Sequence, residues 1–387
     1  MGAIAHLPKQ VIFGEQTLHE LARCVKQLAI RHACIIYSAS AMPPSLREFV
    51  AGQFQDLDIK MTLFEMPKGE PTIQLLERCV QLLRDSGCEG IVAIGGGSTL
   101  DLGKAAAALF LNEEVPFAEL AQLPAVARLP FIAVPTTAGT GSEATKVAVI
   151  TDERKGIKLN PGHPDFIPDV AILDPHLTLD VPGHITAFTG LDALTHAIEA
   201  YVSTKATVFS DMYALQAVEL IGANLQRAYH KPGDIAARGN MLLGSFYAGV
   251  AFSNASTNLA HALGRALGTR FQLSHGLSVA LLHPFVVAYS MDSCRERYER
   301  VAQAIGLEKG EALVGYLDGL NEEFHVWESA ASIVLHDFEG AIDEMTMNAL
   351  GGNGILTNRR IPERKDIKNI YIALAKRLQK ERQINGV

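Results

Sequence analysis

A chain of 387 residues is too long for one compact core and suits two domains. With 48% hydrophobic and 20% charged residues and no low-complexity run, its composition excludes a disordered or fibrous protein. Acidic residues outnumber basic ones, 42 to 34, and the densest basic stretch, Asn358 to Lys365, is broken by Pro and Glu, so neither nucleic acid nor a membrane is expected as a partner.

The opening "MGAIAHLPKQVIFGEQ" has no basic segment followed by an apolar one, and no apolar run reaches membrane-spanning length. A cytoplasmic location is expected. Cys24, Cys34, Cys79, Cys88 and Cys294 are odd in number, scattered and without CxxC spacing, so they read as reduced, structural residues.

The first half alternates β-rich runs with helical patterns. "QVIFG" precedes the helical "TLHELARCVKQLA"; "ACIIYS" and "LDIKMTLFEM" precede "TIQLLERCVQLLRDSG"; "GIVAIGGGS" precedes the Ala-rich "DLGKAAAALFL", and "PFIAVPTTAGTGSE" follows. Such alternation marks βαβ units, and uninterrupted apolar runs such as "CIIY" and "IVAI" suit parallel strands covered on both faces. An α/β domain with a doubly wound, mainly parallel sheet is expected over residues 1–182. From about His184 helical periodicity takes over, as in "AFTGLDALTHAIEAYVS" and "DIKNIYIALAKRLQKE", so residues 183–387 are expected to form an all-α domain. A ligand is expected in the cleft between the two.

Two glycine-rich turns follow strands. In "IVAIGGGSTLDLGK" a buried strand runs into Gly95, Gly96, Gly97 and Ser98, ahead of a helix opened by Asp101 and Lys104. Glycines there admit a ligand to the backbone, and the free N–H groups of a helix start favour phosphate. In "IAVPTTAGTGSEAT" the strand ends at Pro135, and Thr136, Thr137, Gly139, Thr140, Gly141 and Ser142 offer hydroxyls and bare backbone. Two such turns in one sheet point to a long, phosphate-bearing ligand across the strand ends. The usual GxGxxG is absent after the first strand.

In "GLDALTHAIEAYVS" Asp192 and His196 are four apart and share a helix face. His261 in "NLAHALGRALG" and His275 in "FQLSHGLSVALLHP" follow, with Gly264, Gly268 and the polar "TRFQLS" giving the chain room to turn back between them. Any one of the 13 histidines is more often a satisfied core or surface residue. One carboxylate and three imidazoles together form an N/O ligand set for Fe²⁺ or Zn²⁺.

"GGGSTLDLGK", "PTTAGTGSEAT", "AILDPHLT", "TGLDALTHAIEAYVS", "AHALG" and "SHGLSVALLHP", in this order, resemble the group III, iron-containing alcohol dehydrogenases along nearly the whole chain. The resemblance implies a dehydroquinate synthase-like architecture and a metal (Fe²⁺, Zn²⁺ or another divalent ion) bound by Asp192, His196, His261 and His275. It implies NAD(P)(H)-dependent interconversion of an alcohol with an aldehyde or ketone, and a homodimer or larger homo-oligomer. It also implies cofactor contacts from Gly96, Gly97, Ser98 and Asp101 at the pyrophosphate, from Thr136, Thr137, Thr140 and Ser142 beside the nicotinamide, and from Lys158 and Leu177 in the same cleft.

The chain departs from the family at several points. Ser38 ends "CIIYS" where many NAD-preferring members carry Asp; without that carboxylate NADP(H) is expected to be tolerated or preferred, although no Arg immediately follows. Arg265 stands where many members have a second His. It is read either as turned away to an acidic neighbour or as a contact for a substrate with an anionic group. Arg359 replaces a usual Pro, and "LLHPF" reverses the usual Pro-His order. Two alternatives stay open: a dehydroquinate synthase-like NAD- and metal-dependent lyase, which calls for Glu as first ligand and a basic phosphate pocket, and a non-catalytic nucleotide- and metal-binding protein.

Overall fold

The structure is a computed structural model and describes residues 3–385. Its main sheet has strands β1 (Gln10–Phe13), β2 (His32–Ser38), β3 (Lys60–Met66), β4 (Gly90–Gly95), β5 (Phe131–Pro135) and β8 (Val170–Leu173). A separate antiparallel hairpin joins β6 (Ile150–Asp152) to β7 (Ile157–Leu159). The helices α1 (Leu21–Gln27), α2 (Pro44–Asp56), α3 (Ile73–Ser86) and α4 (Gly97–Leu111) connect the strands.

The six main strands are all parallel in the order β1-β8-β5-β4-β2-β3. Every residue of β4 and β5 is buried, as expected for strands covered on both faces. One face packs Ile91, Ala93 and Phe131 against Leu76, Leu83 and Ala105 of α3 and α4. The other packs Ile35, Val92 and Ile132 against Leu21, Val25, Val50 and Phe54 of α1 and α2. The sheet is thus doubly wound, and its order reverses between β2 and β4. A crevice opens at the carboxyl ends of those two strands, the usual ligand position in such sheets. Ser38 and Gly95 end the strands that border it.

From Gly183 onward the described residues are helical or irregular. The elements are α5 (Gly183–Val202), α6 (Val208–His230), α7 (Ile235–Ala255), α8 (Leu259–Phe271), α9 (His275–Ser290), α10 (Arg295–Ala304), α11 (Ala312–Glu323), α12 (Val326–Ser329), α13 (Leu335–Leu350) and α14 (Arg364–Asn385). Helix α5 is central, buried along nearly its whole length, which is why its sequence reads as apolar all round. Arg359 caps its carboxyl end: Nε donates to the Val202 carbonyl and Nη2 to the Ser203 carbonyl, so a cation meets the negative end of the helix dipole. Pro284 sits inside α9 and cannot donate to the Ala280 carbonyl; Asn321 of α11 donates to that oxygen instead, at 2.8 Å. The two departures from the family pattern therefore carry their own compensations.

Two local expectations need correction. Helix α4 begins at Gly97, not near Asp101, because Gly96 in an extended conformation already serves as its cap residue. The chain reverses between α8 and α9 at Gln272–Ser274, within the polar "TRFQLS" stretch expected to turn but not at the two glycines named with it, and Gln272 is left-handed at φ 57. Gly264 and Gly268 lie within α8, where they let α9 approach: a Cβ on Gly264 would stand 2.8 Å from Val279 Cγ2. Among the described residues no helix is long and apolar enough to cross a membrane.

Candidate metal centre and cofactor cleft

Asp192 and His196 project from one face of α5, His261 from the first turn of α8 and His275 from the start of α9. The tight turn at Gln272 brings the last two together although fourteen residues separate them in sequence. One donor atom from each of the four lies within 4.8 Å of the others. Asp192 Oδ1 is 3.4 Å from His261 Nε2 and 3.7 Å from His275 Nε2, and Asp192 Oδ2 is 3.9 Å from His196 Nδ1.

These separations are long for hydrogen bonds. They match donors sharing one ion, since two tetrahedral ligands at metal-bonding distance lie roughly 3.4 Å apart. Asp192 Oδ1, His196 Nδ1 and His261 Nε2 are all buried without a hydrogen-bond partner. Three orphaned polar atoms converging on one point would be costly unless a cation sits among them. The residues present thus fit a divalent ion.

The electrostatics agree. Burial opposes the Asp192 charge, but His196, His275 and His261 outweigh it and hold the carboxyl well below the usual range. Burial pushes His196 down to about 3, keeping the imidazole neutral, as a metal ligand must be. Burial also acts to lower His261, yet Glu199 and Asp192 outweigh it and raise that ring to about 9. His196 is stacked between Phe252 and His261, with ring centroids 4.2 and 4.4 Å away, so its orientation is fixed by packing. The His275 side chain is 42% exposed against 4–6% for the other three, which makes it the open side of the set.

Glu199 was not singled out in the sequence. Its Oε2 accepts from His261 Nδ1 at 2.7 Å and from the Asn258 N–H at 2.7 Å, and its Oε1 accepts from the Ala260 N–H at 2.6 Å. It holds the first turn of α8 and fixes His261 with Nε2 toward Asp192. The signal was present: positions 192, 196 and 199 are i, i+4 and i+7 on one helix face, and a Glu in so apolar a helix requires a partner.

The second glycine-rich turn packs on the helical domain, where a Cβ on Gly139 would stand 2.4 Å from Thr189 Cβ of α5. The first turn of α4 has no side-chain cap, so its N–H groups at Gly97 and Ser98 are available at the β2/β4 crevice. The turns pack on each other: a Cβ on Gly97 would stand 2.7 Å from Thr140 Cγ2. Gly96, Gly97, Ser98, Thr137 and Thr140 remain partly exposed, while Gly95, Thr136 and Ser142 are buried. Asp101 and Ser142 spend their side chains on each other, Ser142 Oγ donating to Asp101 Oδ1 at 2.5 Å, while Asp101 Oδ2 accepts from the Val149 N–H. Buried Lys104 completes this brace through Thr145 Oγ1 and the Val147 carbonyl, both at 2.8 Å.

The remaining residues of interest are more spread. Lys158 lies on β7 and pairs with Glu70, and its field still reaches His275. Leu177 is half-buried against the sheet core. Arg47 from the first turn of α2 donates to Tyr37 Oη at 3.3 Å, and that hydroxyl in turn donates to Glu65 Oε2 at 3.0 Å. Among the described residues Arg265 pairs with no acidic neighbour; its Nε donates to the His261 carbonyl at 3.3 Å.

Comparison with known proteins gives a consistent result. The family described as "Iron-containing alcohol dehydrogenase" matches residues 8–175, and "Fe-containing alcohol dehydrogenase family, C-terminal" matches residues 186–375. The chain is 46% identical over 265 residues to "Probable alcohol dehydrogenase EutG" of Escherichia coli, covering 67% of each chain. It is 30% identical over 378 residues to an NADPH-dependent butanol dehydrogenase of Clostridium saccharobutylicum, covering 94% of this chain and 96% of that one. Among solved structures, 1,3-propanediol oxidoreductase superposes with a TM-score of 0.90 at 26% identity, covering 97% of this chain and all of the other.

Proposed function

The chain belongs to the iron-containing alcohol dehydrogenase family and is a metal-dependent oxidoreductase acting between alcohols and aldehydes or ketones, and we propose that its ion is held by Asp192, His196, His261 and His275. The observation that carries this assignment is the convergence of three buried, unpartnered donor atoms in one four-residue cluster. When bound, the ion polarises the substrate oxygen and a nicotinamide dinucleotide gives or takes the hydride.

The chain's own residues supply placement. The α4 amide groups at Gly97 and Ser98 and the hydroxyls of Thr137 and Thr140 receive the cofactor, its diphosphate at the positive end of the α4 dipole. Asp101, Ser142 and Lys104 keep the two turns in register beneath it. Glu199 holds the His261 tautomer, and Phe252 with His261 holds His196 flat. His275, on the open side, borders the approach for substrate.

Ser38 at the end of β2 supports acceptance of NADP(H): there is no carboxylate at position 38 to repel a 2′-phosphate. Residues 1–182 form the cofactor half and 183–387 the metal half, in a cytoplasmic homodimer whose assembly light scattering would test. The function is tested with metal-stripped protein reloaded with Fe²⁺ or Zn²⁺ and assayed with NADPH and NADH on neutral and anionic aldehydes. Metal-dependent turnover is expected, with Ser38→Asp shifting kcat/KM toward NADH. Folded, metal-loaded protein without turnover on any pairing would refute the reading.

A further inference from the structure

Arg265 follows His261 by one turn of α8, so the two side chains share a face. Its Nε is anchored on the His261 carbonyl, and the rest of the guanidinium fork has no hydrogen bond among the described residues. Arg128, Arg297 and Arg377, which are similarly withdrawn from solvent, each meet a carboxylate. Arg265 meets none among the described residues, although it is only half-exposed.

Geometry sets it beside the proposed centre: it lies one turn along α8 from His261, and its Nε is bound to the carbonyl of that residue. His275 is the open member of the ligand set. Arg265 is therefore a cation beside the proposed centre with no carboxylate partner among the described residues. A neutral substrate would leave this charge partly desolvated and unpaired, which is costly. A carboxylate, sulfonate or phosphonate would accept the free N–H groups of the fork in the planar geometry that guanidinium favours.

We propose that Arg265 is a substrate-anion site, and that the preferred carbonyl substrate is an aldehyde carrying a carboxylate, sulfonate or phosphonate one or two carbons from the reacting carbon. The short spacing follows from the single helical turn, about 5.4 Å, between His261 and Arg265. This rests on the assignment of the metal centre above.

The test compares wild type and Arg265→Gln, which keeps a long polar side chain, as metal-loaded enzyme with NADPH. Substrates are butanal, 4-oxobutanoate, 2-oxoethanesulfonate and 2-oxoethylphosphonate. Wild type is expected to favour at least one anionic aldehyde over butanal. The variant is expected to lower the anionic-to-butanal ratio of kcat/KM by roughly ten- to a hundredfold, the usual worth of a charge-assisted contact. Calorimetry with the non-reducible acids butanoate, ethanesulfonate and ethylphosphonate should show a parallel loss of affinity. An unchanged ratio, or a variant whose main defect is a raised KM for NADPH, overturns the proposal in favour of a structural or cofactor-binding Arg265. Wild-type turnover of butanal with none of the anionic aldehydes also overturns it while leaving the oxidoreductase reading intact. Absence of all turnover, together with anion affinity that Arg265→Gln does not change, counts against both.

Discussion

Replacing Glu199 by Gln keeps size and shape and changes one oxygen into an N–H₂ group. In the native chain both carboxylate oxygens only accept, from His261 Nδ1, the Asn258 N–H and the Ala260 N–H. An amide cannot satisfy all three. If its nitrogen faces Ala260, two donors oppose each other; if it faces His261, the ring must carry its proton on Nε2, the nitrogen that points at Asp192. One charge-assisted hydrogen bond is lost, about 1.5–3 kcal/mol, and a buried donor is left unmet at about 1–3 kcal/mol more. Relief from burying the carboxylate offsets part of this, so about 2–4 kcal/mol of stability should disappear.

The loss in metal affinity should be about 10–100-fold, as for other partners that orient a ligating imidazole. Competition with a chelating dye for Zn²⁺, on protein whose circular dichroism is native, measures it. A merely structural role for Glu199 would lower the melting temperature and leave the metal Kd within about twofold of wild type. That result would refute the argument, provided His261→Ala shows the expected collapse of affinity in the same assay.

Two further predictions follow from the geometry. His261 is raised to about 9 and His196 lowered to about 3 in the metal-free chain, so between these values metal must displace about one proton, the one on His261. Affinity should therefore climb by about tenfold per pH unit through neutrality and level off above pH 9, while calorimetry in buffers of different ionisation enthalpy reports the released proton. The same shift makes the pairing of charged His261 with Glu199 and Asp192 a stabilising term of the apoprotein. It is complete below about pH 6.5 and lost as pH rises through about 9. An apparent affinity flat between pH 6 and 8 would contradict the scheme. Gly141→Ala should cost about 2–5 kcal/mol in urea unfolding, because Gly141 has φ +60 and an added Cβ would stand 2.6 Å from Gly249 Cα. A cost below about 1 kcal/mol would mean that the second turn does not sit against α7 as described.

Much of the architecture was legible because its causes are local. Continuous apolar runs such as "GIVAIG" specify strands covered on both faces, and their alternation with helical patterns specifies parallel crossovers. The i, i+4 spacing of Asp192 and His196 places both on one face of α5 before any packing is known. The contacts that tie distant segments together were not legible in this way. Asp101 reaches Ser142 across 41 residues, and Arg359 reaches the end of α5 across more than 150. His261 and His275 meet because Gln272, inside the polar "TRFQLS" stretch expected to turn back, is left-handed, whereas the glycines named with that stretch lie within α8. Sequence periodicity records which face of an element is apolar, and so it indicated the sheet, the helices and the shared face of Asp192 and His196, while His261 and His275 joined them through residue type and family resemblance. Which buried polar atoms find partners depends on how those faces dock, and only the tertiary structure decided that Glu199 is committed to His261, that Asp101 is committed to Ser142, and that Arg265 meets no carboxylate among the described residues.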